Sequence, residues 1–287
     1  MLLAKKQNPL NIFNRCKPAL GTFVEVALKA DKTDDELFAI SQKIFNRIEK
    51  IEKMMSFHDD ESELNYINSN ASFHSCLISQ EMNEVLTKAL ELSKLTNGLY
   101  DISIASELVK NGFLPDKSIR ADKEARWEDI QIKDHKIFFK KRLELDLGGI
   151  AKGYAIDQAF LEVQNEEIDI IINAGGDILM NNWQGKSVDI RVPANLGSIV
   201  NVNMKNKAVA TSASYFFDEE KSPIICPKTK KMLKDNRSIS VFAKDCMIAD
   251  ALTKVAFLDS KNTAQILKLF NAKAIIIDEQ GNLEDYA

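Results

Sequence analysis

The segment Leu145-Asp146-Leu147-Gly148-Gly149-Ile150-Ala151-Lys152-Gly153-Tyr154-Ala155-Ile156-Asp157 brings an acid, two glycines and a lysine close together. An apolar strand pattern ends at the glycines and a helix pattern begins. Glycines let a ligand approach the backbone, and a helix start offers unpaired N–H groups and partial positive charge. Lys152, in the first turn, adds a full charge. Such a combination suits a phosphate or diphosphate. It satisfies neither G-x-x-x-x-G-K-[ST] nor G-x-G-x-x-G, and alone it reads more simply as a Gly-rich turn with a surface lysine. Three further segments carry the same double reading. Asn173-Ala174-Gly175-Gly176-Asp177 ends a strand in glycines and an acid, either where the backbone passes close to a flat ligand or as a tight turn capped by Asp177. Ala210-Thr211-Ser212-Ala213-Ser214-Tyr215 clusters hydroxyls at a strand end, for phosphate oxygens or for turns. Ala249-Asp250-Ala251-Leu252-Thr253-Lys254 buries an acid in an apolar helix, where an unpaired carboxylate is costly. Magnesium takes one or two carboxylates plus phosphates and water, a role Asp250 suits. The plainer alternatives are a helix cap or a pairing with Lys254 four positions on.

Other chemistries find little support. His58, His74 and His135 lack metal-ligand spacing, and no G-x-S-x-G elbow occurs. His58 lies in the polar loop from Ser56 to Asn65. Cys16, Cys76, Cys226 and Cys246 form no C-x-x-C pair, so free thiols in a reducing compartment are expected. A net charge of -4 over 287 residues disfavours nucleic acid as a partner. No run of about 18 apolar residues occurs, so no stable membrane insertion is expected. The start lacks an apolar leader and reads as cytoplasmic, although a periplasmic chain stripped of its leader would begin the same way.

The elements that must position these groups are legible as patterns. Residues 22–30 alternate as a strand. Thr33 and Glu36 form a capping-box signal ahead of Leu37, Ile40, Ile44, Ile48, Ile51 and Met55 at helical spacing. A polar loop is expected over 56–71, then a helix from about Ser79 to Asn97, stopped by Gly98. Strands are expected at 130–132, 137–139, 143–147, 168–173, 187–192, 198–204, 207–211, 238–243 and 272–278. Helices are expected at about 149–164, 247–258 and 261–270. Strands and helices without regular alternation predict an α+β fold in one domain over 1–287.

In this order the segments resemble the ApbE-like flavin transferases. The resemblance runs from Ala19-Leu20-Gly21-Thr22 through Ser56 and Ser62-Glu63-Leu64-Asn65, then Gly98-Leu99-Tyr100-Asp101, Asp146–Asp157, Asn173–Asp177, Thr211-Ser212 and Ala249–Thr253. It implies two intimately packed lobes with FAD in the cleft between them. It also implies Mg²⁺-assisted transfer of FMN from FAD to a Thr or Ser of an acceptor flavoprotein, releasing AMP. Flavin contacts fall on Leu20, His58, Leu99, Tyr100 and Asp101. Asp146, Lys152, Asp177, Thr211 and Ser212 complete the nucleotide set. The metal ligands fall on the Gly149 carbonyl and Asp250, with Thr253 beside them. Three departures stand out. The family's second side-chain ligand, a threonine, is Lys254. The H-I-I-D-P element reads Pro223-Ile224-Ile225-Cys226-Pro227, without histidine or acid. The T-S-G turn reads Thr211-Ser212-Ala213. The catalytic base is therefore unassigned. A non-catalytic FAD carrier or assembly factor, or an FAD diphosphate hydrolase, is the alternative.

Overall fold

The computed structural model describes residues 10–193, 195–213, 222–259 and 262–286. Ser214 and Tyr215 of the hydroxyl segment, and the first nine residues, lie outside them. The helices are α1 (Asp34–Met55), α2 (Glu63–Asn70), α3 (Gln80–Leu95), α4 (Ala105–Lys110), α5 (Ala151–Leu161), α6 (Cys246–Leu258) and α7 (Thr263–Leu269). Thr33 caps α1 in the expected reciprocal box with Glu36, and the predicted apolar stripe of α1 is buried. Ser79 likewise caps α3 at the Met82 N–H.

An antiparallel sheet of eight strands organises the molecule. Its order is Asn11–Ala19, Thr22–Ala30, Asp169–Ala174, Asp177–Met180, Ala208–Ala213, Ser238–Ala243, Lys273–Ile277 and Leu283–Tyr286. Spatial order thus repeats chain order. One long excursion between the second and third strands carries α1 to α5 and a small sheet of Cys76–Leu77, Lys136–Phe139 and Ile130–Lys133. This α+β arrangement agrees with the sequence reading. Apolar residues of α1 and α5 pack on the first strands of the sheet. The core of the excursion runs into α6 and the later strands. A hairpin of Ser187–Val192 and Asn195–Asn203 shares a third cluster with the opposite face. No helix among the described residues is long and apolar enough to cross a membrane, and all four cysteines carry free thiols.

Two expectations are corrected. Residues 56–71 are not all loop. Ser62 accepts from the Asn65 N–H and starts α2, whose buried stripe is too short to stand out by period. Residues 143–147 are not a strand. The Leu145 N–H donates to Asn68 Oδ1 at 2.8 Å, and its carbonyl accepts from Asn68 Nδ2 at 3.0 Å. The Asp146 N–H donates to the Ile102 carbonyl at 2.8 Å. One side-chain amide and one loop carbonyl thus satisfy the backbone that a ladder would have paired. The strands Asn11–Ala19 and Asp177–Met180 were not expected.

Glu144 stands beside this segment, 3% exposed, and its Oε1 has no hydrogen-bond partner among the described residues. Burial pushes its carboxyl up to about 7, aided by Asp116 and opposed by Arg142. The folded value lies above the ordinary glutamate value of about 4.3. This site's contribution to stability is therefore fully present in acid and is lost as pH rises through about 7. Glu144→Gln is expected to gain on the wild type by roughly 2 kcal/mol between pH 5 and pH 8. Urea melts at the two pH values measure it, and a pH-independent difference would refute the raised carboxyl.

Candidate active site

A cleft of about 1240 Å³ opens between the sheet and the helical excursion. Small-ligand pockets usually span about 300–1,000 Å³, so this one has room for a dinucleotide. Its walls come from segments distant in sequence, and each owes its place to a local device.

At one end the turn Leu20-Gly21 joins the first two strands, with both residues at positive φ (56° and 68°). Two-residue hairpins need this backbone, which is strained for leucine. Glu52 of α1 holds it by accepting the Leu20 N–H at 2.7 Å. Glu52 lines the cleft, and the sequence offered no sign of its role beyond its place on α1. Beside that first turn, Gly175-Gly176 makes a second tight hairpin (φ 62° and 101°). A Cβ at Gly175 would lie 2.7 Å from Thr22 Oγ1, so the two turns press together as only glycine allows. The double glycine is therefore a tight turn and also lines the cleft. Asp177 does not cap it.

Asp177 instead turns inward, 2% exposed, to Lys152. Lys152 Nζ lies 2.7 Å from Asp177 Oδ2 and 3.1 Å from Asp250 Oδ2. The first turn of α5, the sheet and α6 thus meet at one ammonium. Asp250 is wholly buried. Burial alone would raise its carboxyl, but Lys152 and Lys254 more than reverse this and hold it below the usual range. For Asp177, burial and the Asp250 charge outweigh the lysines, and its carboxyl rises to about 6. Burial disfavours the Lys152 ammonium, yet the two carboxylates raise its pKa well above the ordinary lysine value.

Lys254 Nζ contacts Asp250 Oδ1, the Asp250 carbonyl at 3.2 Å and Ser212 Oγ at 3.2 Å. Lys152, Lys254, Ser212 and Thr211 line the cleft, with the buried acids behind them. Thr211 is steadied by Ser240, hydroxyl to hydroxyl at 2.8 Å. Along the other wall, Tyr100 donates to the Gly149 carbonyl at 3.4 Å. Asp101 accepts from the Ser103 N–H at 2.8 Å and hydroxyl at 2.7 Å. Leu99 and the exposed His58 complete that side. Burial raises the Asp146 carboxyl, against the Gly148 N–H and the charges of His58, Lys254 and Lys152. Pro223, Ile224, Ile225 and Pro227 give the cleft an apolar edge. Arg191, on the hairpin of the opposite face, reaches the rim with no signal in the sequence.

The three expected metal ligands do not form an open oxygen site. Both Asp250 oxygens face ammonium groups. Thr253 is wholly buried, donates to the Asp250 carbonyl at 2.7 Å and meets Ser212 Oγ at 2.7 Å. It does not reach the cleft, because adjacent helix positions diverge by about 100°. The Gly149 carbonyl already accepts from Tyr100. Among the described residues no cluster of three His, Cys, Asp or Glu side chains is placed to hold a metal. Magnesium demands several oxygens in near-octahedral array, and this donor set does not fit it.

An α+β fold with a dinucleotide-sized cleft, floored by a lysine clamped between buried acids, defines a class that comparison with known proteins names. The ApbE family pattern matches residues 20–276, and the chain belongs to the ApbE family. The FAD:protein FMN transferase of Haemophilus influenzae is 27% identical, over 99% of this chain and 88% of that protein. That of Vibrio cholerae is 24% identical, over 88% and 83%. Among solved structures, the ApbE protein of Thermotoga maritima superposes with a TM-score of 0.82 at 23% identity, covering 96% of this chain and 97% of that one. The flavin transferase ApbE of Vibrio cholerae gives 0.83 at 22%, covering 97% of each.

Proposed function

We propose that this chain is an FAD:protein FMN transferase that moves FMN from FAD to a Thr or Ser of an acceptor flavoprotein and releases AMP. The observation that carries this reading is the Lys152 ammonium, held between Asp177 and Asp250 on the floor of a cleft of about 1240 Å³. The names of its relatives support the same reading.

In the reaction the acceptor hydroxyl oxygen bonds to the FMN phosphorus, and the bond from that phosphorus to the bridging oxygen breaks. AMP leaves with that oxygen, and the hydroxyl proton passes to a base. Such a transfer needs positioning and neutralised charge more than covalent help. Lys152 supplies a fixed positive charge to the diphosphate. Thr211 and Ser212 offer hydroxyls to its oxygens. Leu20, Leu99 and Tyr100 form the apolar wall for the flavin ring. With the P-I-I-C-P edge apolar, Asp146 is assigned as the proton acceptor, a cleft-lining carboxyl that burial raises and that lies within the field of Lys152 and Lys254. Magnesium, implied by the family resemblance, would meet donors here that fit it poorly, since both Asp250 oxygens face ammonium groups.

Incubation with FAD and an acceptor flavoprotein, followed by mass spectrometry, is expected to show FMN esterified to one Thr or Ser, with AMP released in equal amount. AMP released without acceptor identifies a hydrolase. The competing reading is a non-catalytic FAD carrier. Tight FAD binding with no AMP from any acceptor supports that reading and sinks the transferase.

A further inference from the structure

We propose that the Lys254 ammonium is a tethered cation standing where a divalent ion would otherwise sit, so that this chain holds the dinucleotide diphosphate without magnesium. The proposal rests on the FAD reading above.

Three oxygens surround Lys254 Nζ: Asp250 Oδ1, the Asp250 carbonyl and Ser212 Oγ. An ammonium has three N–H donors, so this shell satisfies it. Oxygen from a carboxylate, a carbonyl and a hydroxyl is also the chemistry that hard cations choose. The stem approaches along Gly149, where a Cβ would lie 3.4 Å from Lys254 Cε. The lysine stem thus lies in ordinary van der Waals contact with that wall of the cleft. Thr253, the neighbouring oxygen, is turned away and locked.

An incoming metal would have to expel a covalently attached charge from a buried carboxylate. The ammonium needs no recruitment from solution. It brings one positive charge where magnesium brings two, and Arg191 adds another on the rim of the same cleft. The arm to Ser212, a cleft-lining hydroxyl, is the contact a phosphate oxygen replaces when FAD enters.

The test measures FAD affinity by flavin fluorescence, with EDTA and with millimolar Mg²⁺, and metal binding by the paramagnetic resonance of Mn²⁺ added to the FAD complex. Wild type is expected to bind FAD equally in both buffers and to leave the Mn²⁺ signal free. Lys254→Thr is expected to lose about tenfold in FAD affinity in EDTA, to regain it with Mg²⁺ and to bind Mn²⁺. Lys254→Met keeps the stem without the charge. It is expected to lose affinity that Mg²⁺ does not restore, while melting as a folded protein, and it decides the matter should the threonine variant fail to fold. Wild-type binding that requires Mg²⁺, or Mn²⁺ held by wild type, overturns the proposal and leaves the transferase reading standing. Unchanged affinity in either variant in EDTA, or a loss in the threonine variant that Mg²⁺ does not repair, also overturns it. No FAD binding in any buffer overturns both.

Discussion

Gly153→Ala is expected to destabilise the protein by about 3 kcal/mol and to slow FMN transfer roughly a hundredfold. Helix propensity alone predicts the opposite sign, since alanine is favoured over glycine by about 1 kcal/mol. Sterics win because the contact is between backbones. A Cβ on Gly153 of α5 would lie 2.4 Å from the Cys246 carbonyl oxygen and 2.6 Å from the Met247 nitrogen. No rotamer can relieve that overlap, so α5 and α6 must part. They are also tied, because Asp157 accepts the Cys246 N–H at 2.8 Å and the Met247 N–H at 2.9 Å. α5 carries Lys152, and α6 carries Asp250 and Lys254. A shift of about 1 Å between the helices therefore reaches the cleft floor, and misplacement on that scale costs about a hundredfold in rate. Urea melts and acceptor labelling measure the two effects. A variant that melts and labels like wild type would show that the helices are not in backbone contact.

Lys152→Met is expected to cost about 3–5 kcal/mol of stability and at least a hundredfold in FAD affinity. It leaves Asp177 and Asp250 facing each other, both buried, with only Lys254 to neutralise them. Breaking a buried pair on one side strands a charge, which is worse than replacing the whole cluster. The pH dependence separates this from lost packing. The wild-type ammonium stays charged from pH 5 to 9, because its folded pKa is raised, so it adds no slope there. Without it both carboxyls rise. Their penalty is full at high pH and is relieved as pH falls through their folded values. The gap to wild type is therefore widest at pH 8 and narrower at pH 5. Adding Asp177→Asn should recover part of the stability but not the FAD affinity. A gap of the same size at both pH values would mean that volume, not charge, is at stake.

Much of the framework was legible because local rules and tertiary packing agree. The Thr33 box, the α1 stripe, the helix from Ser79 and the strands at 168–173 and 238–243 form where pattern places them, although the first of these strands alternates buried and half-buried residues. Misreadings fell where one long-range partner replaces a pattern. Residues 143–147 look like a strand because they are apolar and extended, but the Asn68 amide holds them and no ladder does. The first strand was missed because its side chains are mostly exposed or half-buried, leaving little alternation to read.

By itself the amino-acid sequence determined the family, most of the helices and strands and which residue types could meet a diphosphate, because motifs and periodicity are written in neighbouring residues. The tertiary structure alone decided which of those groups touch. It turned Asp177 from a turn cap into a partner of Lys152 and brought Asp250 to the same ammonium. The physical reason is that a charge acquires its partner, and its dielectric surroundings, only when helices and sheet distant along the chain close around it.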